Sequence, residues 1–212
     1  MVSEKLDGVM KSLSSFSSAT LYEALGSKGA LPSEIKPLFD HFRICGPALT
    51  VNSPPGDNLW LHKAIYESKP GDILVVTVGS FYEAGYWGEI MTRAALQRNI
   101  GGLVIDGCVR DGEMIRTLNF PVFARGLCIR STKKDIHKKG ETNTQIQIND
   151  VQIESGDIVV GDLDGVMIFP QSRIKEALKK AAEREEKEAE IAELIKEGES
   201  TLNIYKLDGE EK

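Results

Sequence analysis

The segment from residue 73 to residue 124 does most to limit what this chain can fold into. It opens with a nearly continuous apolar run, Ile73-Leu74-Val75-Val76-Thr77-Val78, which suits a strand covered on both faces. Leu103-Val104-Ile105 is too short for a helix and reads as a second buried strand, and Val122-Phe123-Ala124 as a third. Two helical patterns lie between them. Ile90, Met91, Ala94, Ala95 and Leu96 give residues 88–98 an apolar side. Met114, Ile115 and Leu118 do the same for a shorter helix that Asn119-Phe120-Pro121 ends. This alternation of strand and helix predicts an α/β core.

The flanks add elements. Leu6, Val9, Met10 and Leu13 recur at helical spacing within residues 4–25. After the break Ser14–Ser18, Ser18 or Thr20 is placed to cap a second helix through Leu21 and Leu25, which Gly26 ends. Ile44–Val51 reads as a strand. Pro54-Pro55-Gly56-Asp57-Asn58 reads as a turn whose Asp57 or Asn58 caps a helix over Leu59–Ser68. Gln145–Ile148 and Val151–Ile153 alternate polar and apolar, the mark of strands with one wet face. Ile158–Val160 and Val166–Phe169 flank the turn Asp162-Leu163-Asp164-Gly165 as a hairpin. Its aspartates read as turn residues, since no full oxygen-ligand loop for calcium follows.

From Ser172 to Glu197 the pattern is helical. Ile174, Ala177, Leu178, Ala181 and Ala182 form one apolar face; Glu183–Glu188 is polar all round; Ala189, Ile191, Ala192, Leu194 and Ile195 are apolar again. Such a helix either projects from its own core onto a neighbour or is a long solvated helix.

Composition excludes several function classes. A net charge of −6 over 212 residues argues against a general nucleic-acid binder. The lysines at 133, 134, 138 and 139 around His137 are too short a cluster to claim one, and read as a solvated loop. No apolar run approaches the roughly 20 residues that span a membrane, and residues 1–7 lack a signal-peptide core. Cys45, Cys108 and Cys128 form no C-x-x-C pair. They suggest a reducing cytoplasm and small buried hydrophobes, not a disulfide frame or a zinc site. There is no phosphate-binding G-x-x-x-x-G-K-[ST], no G-x-G-x-x-G and no G-x-S-x-G, so nucleotide-driven and serine-hydrolase mechanisms have no support.

The candidate site lies where the strand over 103–106 gives way to Gly107-Cys108-Val109-Arg110-Asp111. In open α/β sheets, ligands bind in loops that leave the carboxyl ends of strands. A guanidinium there can grip a carboxylate with two hydrogen bonds, and a carboxylate can hold a hard divalent cation. The competing reading is a surface ion pair or a cap on the next helix. Gly85 and Gly88 precede the helix over 88–98, where backbone N–H groups can approach an anion. Glu89 in its first turn reads equally as a favourable charge on the helix dipole, and Glu23 as a solvated helix residue.

The chain resembles the RraA-like family. The resemblance is carried by Ala19–Gly26, Gly46–Val51, Pro55–Asn58, Pro70–Val76, Trp87–Glu89, Gly102–Asp111, Pro121–Gly126 and Gly156–Gly165. Within the family it resembles the class II, metal-dependent 4-hydroxy-4-methyl-2-oxoglutarate / 4-carboxy-4-hydroxy-2-oxoadipate aldolases. Their signature is an acid, twenty residues, then Arg-Asp. Here Glu89 stands for the family's aspartate, ahead of Arg110-Asp111. RraA proteins that only inhibit a ribonuclease lack the acid after the arginine, so Asp111 favours an enzyme. Some members carry a demethylmenaquinone methyltransferase name, for which this chain has no glycine-rich S-adenosylmethionine motif.

The resemblance implies a layered α/β/β/α sandwich of the swivelling β/β/α type, with an α/β domain over 1–170. The C-terminal helix and tail over 171–212 would pack on a neighbouring subunit. It implies retro-aldol cleavage of 4-hydroxy-2-oxo acids to pyruvate, and oxaloacetate decarboxylation through the same enolate. Asp111 would hold Mg²⁺ or Mn²⁺, Glu89 would act through water, and Arg110 would stabilise the enolate. Gly85 and the N–H groups near Gly88 and Glu89 would bind substrate. Glu23 and a C-terminal glutamate (Glu186, with Glu185 and Glu188 as alternatives) would act on the C4 hydroxyl. A homotrimer or hexamer with its site at a subunit interface is implied, with no nucleic-acid or membrane partner. The alternative is a non-catalytic regulator that binds a ribonuclease.

Overall fold

The computed structural model describes residues 2–207, and side chains from Gly8 onward. Leu6 and the tail 208–212 therefore lie outside what can be compared with the expectations above.

Two helices open the chain, α1 (Val2–Leu13) and α2 (Ser18–Ala24). Then follow β1 (Lys36–Pro37), β2 (Ile44–Asn52), α3 (Leu59–Glu67), β3 (Ile73–Thr77), α4 (Glu89–Gln97), β4 (Gly102–Asp106), β5 (Cys108–Val109), α5 (Gly112–Leu118), β6 (Val122–Ala124) and β7 (Gly126–Leu127). The last third holds β8 (Glu141–Thr142), β9 (Ile146–Ile148), β10 (Val151–Ile153), β11 (Ile158–Asp162), β12 (Gly165–Phe169), α6 (Ile174–Lys196) and α7 (Thr201–Tyr205).

The sheet runs β1-β6-β4-β3-β2-β11-β12, with β8 also on β2. Its centre, β2-β3-β4-β6, is parallel, and the β11–β12 hairpin continues it antiparallel. The sheet curls until its two edges, β1 and β12, come into contact, so the expected pair of β layers is one nearly closed sheet. Burial explains the sequence pattern. Every residue of β4 and β11 is buried, as are Ile73–Val76 of β3, because helices or the opposite wall cover both faces. One core lies within the curl and under α3, α4 and α5. The other lies under α1, α2 and α6, against Ile158, Val160, Met167 and Phe169.

Some local chemistry differs from the sequence expectation. The cap of α2 is Ser17, whose Oγ accepts the N–H of Thr20. Ser18 turns instead to Asp162, its N–H and Oγ donating to the two carboxylate oxygens at 2.7 and 2.6 Å. Asp162 also accepts the Asp164 N–H at 3.0 Å, so it closes its own turn and anchors α2 to β11. The cysteines are free and partly buried rather than core residues. Only Ala177 and Ala181 of α6 are buried, and Leu194 and Ile195 stay exposed. No helix among the described residues is long and apolar enough to cross a membrane.

Candidate functional site

The parallel strands β2, β3, β4 and β6 all end at one side of the sheet, and the loops leaving them converge there. Two large side chains fix the loop that leaves β3. Tyr86 and Trp87 are fully buried. Each takes roughly 150–250 Å² out of water, about 4–6 kcal/mol at the upper bound of area bookkeeping. Trp87 stacks on Phe120, its ring centroid 5.9 Å away, and donates from Nε1 to Thr92 Oγ1 at 2.8 Å. The Trp87 carbonyl accepts the Arg110 N–H at 2.8 Å, which clips the loop after β4 to the loop after β3.

That clip brings the backbones so close that only glycine fits. A Cβ on Gly85 would stand 2.4 Å from the Cys128 carbonyl oxygen and 2.9 Å from Arg110 Cβ. A Cβ on Gly88 would stand 2.4 Å from Asp111 Oδ2. Both glycines serve close approach. The Gly85 N–H is spent on the Arg130 carbonyl at 2.8 Å, so this glycine is not the anion donor expected of it.

Asp111 begins α5 with φ 58° and ψ 40°, a left-handed conformation that costs a non-glycine residue about 1 kcal/mol. Its side chain makes no capping bond, which removes the helix-cap alternative. The carboxylate points across to α4 instead. Oδ2 accepts the Glu89 N–H at 3.0 Å and lies 3.9 Å from Arg110 Nε. Strain held for something other than helix capping is the pattern of a functional position.

Glu89 departs from its expected role in two ways. Its N–H, expected to hold a substrate carboxylate, is taken by Asp111, and its carboxylate accepts Arg93 Nε at 2.9 Å. The Gly88 N–H has no acceptor among the described residues, so that amide at the N-terminus of α4 remains open to an anion.

Arg110 and Asp111 share a cavity of about 190 Å³ with Asn58, His62, Gly88 and Lys134. Asn58, His62 and Lys134 were not singled out by the sequence. Asp57 Oδ1 accepts the Leu59 N–H at 2.9 Å, and the Asn58 side chain makes no cap bond. Asn58 Nδ2 donates to the Tyr86 carbonyl at 2.9 Å, while its Oδ1 is buried with no partner. A buried acceptor without a donor normally marks a place where a ligand or water completes the site. Partial burial and the nearby Lys134 ammonium push His62 below its usual range, so it is neutral at pH 7.

The donor set fits a divalent cation of the water-rich kind. Asp111 Oδ1 accepts no hydrogen bond among the described residues, while Glu89 meets Asp111 through its backbone N–H and its carboxylate is paired with Arg93 outside the cavity lining. Magnesium is typically held by one or two carboxylates and keeps several waters. No group of three or more His, Cys, Asp or Glu side chains able to hold a metal occurs among the described residues, so a caged site of the zinc kind has no ligands here.

The glutamates stand elsewhere. Neither Glu23 nor Glu186 lines the cavity. Anchored through Ser18 to β11, α2 sits on the far side of β2 and β3 from β4. There Glu23 forms an ion pair with Arg184 of α6. Arg184 Nε also lies 2.8 Å from Glu188 Oε1, an ion pair by distance with too poor an angle for a hydrogen bond. Of the three C-terminal candidates, Glu188 therefore shares a cluster with Glu23.

The RraA-like family model, described as Aldolase/RraA, matches residues 18–168. A Halalkalibacterium halodurans protein, provisionally named 4-hydroxy-4-methyl-2-oxoglutarate aldolase, is 37% identical over 177 residues, covering 82% of this chain and 83% of its own. An uncharacterised protein from Pseudomonas syringae superposes with a TM-score of 0.82 at 29% identity, covering 95% of this chain and 93% of its own. Streptomyces coelicolor RraAS2, described as an unusual member of the RNase ES inhibitor RraA family, superposes with a TM-score of 0.75 at 26% identity, covering 86% and 94%.

Proposed function

The chain belongs to the RraA-like family, and from that premise we propose that it is a lyase that cleaves 4-hydroxy-2-oxo acids to pyruvate and decarboxylates oxaloacetate. One observation carries the proposal. The Asp111 carboxylate is held in a left-handed backbone, makes no bond to its own helix, and accepts the first N–H of α4 beside Arg110.

In the retro-aldol step a base removes the C4 hydroxyl proton, C4 becomes a carbonyl as the C3–C4 bond breaks, and that bond's electron pair forms the C2–C3 double bond while the π pair of the 2-oxo group moves onto its oxygen. The enolate then takes a proton at C3 to give pyruvate. Arg110, at the cavity wall, stabilises the negative charge that develops on that oxygen. The Gly88 N–H and the positive end of α4 receive the C1 carboxylate. Lys134 adds a second cation for substrate carboxylates. Asn58 Oδ1, a buried acceptor with no donor, would accept from a bound water or a substrate hydroxyl. A Mg²⁺ or Mn²⁺ ion, held by Asp111 and through water by Glu89, would supply Lewis-acid polarisation of the 2-oxo group. The base comes from the Glu23 and Glu188 cluster of a neighbouring copy in a trimer or hexamer, since neither residue lines the cavity of its own chain.

The test is pyruvate release from oxaloacetate and from 4-hydroxy-4-methyl-2-oxoglutarate, coupled to lactate dehydrogenase, with Mg²⁺ or Mn²⁺ and again with EDTA. Metal-dependent release that Asp111→Ala abolishes is the expected result. Release that survives EDTA or that substitution would refute the site. The likeness to RraAS2 favours a second reading, a regulator that binds a ribonuclease. Ribonuclease inhibition by a chain that releases no pyruvate from either acid would establish it.

A further inference from the structure

Asp57 is fully buried, and no cation pairs with it among the described residues. A lone buried carboxylate is costly unless hydrogen bonds replace its hydration. Two backbone amides do so from separate parts of the chain. Oδ1 accepts the Leu59 N–H at 2.9 Å, and Oδ2 accepts the Asp135 N–H at 2.6 Å, 78 residues away. The first bond is an ordinary helix cap. The second has no part in capping.

Other bonds show what the second one does. Lys133 donates its N–H to the Gly56 carbonyl at 2.8 Å, and its own carbonyl accepts the Asn58 N–H at 3.1 Å. Residue 133 is thus strapped to the turn on one side of Lys134, and residue 135 on the other. Between the two straps the Lys134 side chain enters the cavity with Arg110 and Asp111.

We propose that Asp57 is a positioning residue that fixes Lys134 beside the cavity for the anionic substrate. This rests on the proposed function for the identity of the substrate. It does not rest on it for the strap itself.

The experiment uses the full-length protein with Asp57→Asn, which can keep one of the two bonds. Asp57→Ser accompanies it, as a residue that still caps helices but is one atom shorter. Both are made alone and with Lys134→Ala, and circular dichroism and sedimentation establish that each variant is folded. Hydrogen exchange at the Asp135 amide should quicken about tenfold or more, the scale of one lost hydrogen bond. The kcat/KM for pyruvate release from oxaloacetate should fall about 10- to 100-fold, mostly through KM. In the Lys134→Ala background the same substitution should cost less than about twofold, because the side chain it positions is gone. A folded Asp57→Asn protein within twofold of wild type overturns the proposal. So does a full repeat of its loss in the Lys134→Ala background, or unchanged exchange at Asp135. If neither variant folds, Asp57 is a folding residue and the proposal is wrong. A wild type that releases no pyruvate defeats the proposed function, and exchange at Asp135 still decides whether Asp57 holds the strap.

Discussion

Gly88→Ala separates site geometry from fold stability. The backbone at Gly88 is extended, with φ −159°, so alanine meets no conformational penalty there. The new methyl, however, would stand 2.4 Å from Asp111 Oδ2 and 3.3 Å from Arg110 Cγ. Ordinary van der Waals contact begins near 3.4 Å, so the carboxylate must retreat by about 1 Å while Arg110 need hardly move. The Glu89 N–H to Asp111 bond breaks in the process. Losing one half-exposed hydrogen bond costs about 1 kcal/mol, a fall in Tm of about 2–4 °C for a chain of this size. Activity answers to position instead, and a displacement of about 1 Å can cost on the order of 100-fold. The assay pairs thermal unfolding with kcat/KM for metal-dependent pyruvate release. Gly8→Ala, whose methyl meets nothing within 4 Å, is the control. A Gly88→Ala protein with wild-type kcat/KM would refute the placement of Asp111 and Arg110 in the chemistry. One that unfolds 10 °C or more early would refute the separation of site from fold.

Three more outcomes are expected. Asp162→Ala strands the Ser18 N–H and hydroxyl and the Asp164 N–H in a buried corner, so unfolding in denaturant should show a loss of about 2–4 kcal/mol. Burial pushes the Cys45 thiol up to about 11, so it holds little thiolate near neutrality. Alkylation of the native protein at pH 8 should label Cys45 far more slowly than a free thiol, and denaturation should equalise all three cysteines. Burial first, and then the Lys134 ammonium, disfavours protonated His62. Its NMR titration should fall below 6.5 and move upward in Lys134→Met. With the folded value lowered, the unfolded chain binds more protons between the two pKa values, so His62 withdraws stability as pH falls through about 6.5.

Glu23 and Asp111 mark the limits of sequence reading at this site. Arg110-Asp111 could be picked out because a buried strand, a glycine turn and a charged pair are adjacent in the chain, and strand ends are where such sheets bind ligands. The left-handed backbone at Asp111 was not visible there, because it comes from the clip to Trp87 and the approach to Gly88. Glu23 was singled out by resemblance, yet in its own chain it faces Arg184 rather than the cavity. Lys134 is exposed, as a solvated loop implies, but nothing among its neighbours distinguishes it from Lys133, Lys138 or Lys139 as the one that lines the cavity. Its place depends on a bond to Asp57 across 78 residues.

The sequence alone determined the elements of the core. Apolar runs, their periods and the turn residues between them are local properties, and burial on both faces leaves β3, β4 and β11 no other composition. Tertiary structure decided how those elements are used. Asp57 and Asn58 are equivalent caps by sequence, but the loop at 133–135 holds one Asp57 carboxylate oxygen and sets the other on the Leu59 N–H. By sequence Ser18 or Thr20 caps the second helix, but Asp162 claims Ser18 and Ser17 makes the cap instead. In each case two neighbouring side chains can make the same local bond. A partner from a distant part of the chain breaks the tie, and which partner arrives is fixed only when the sheet has closed.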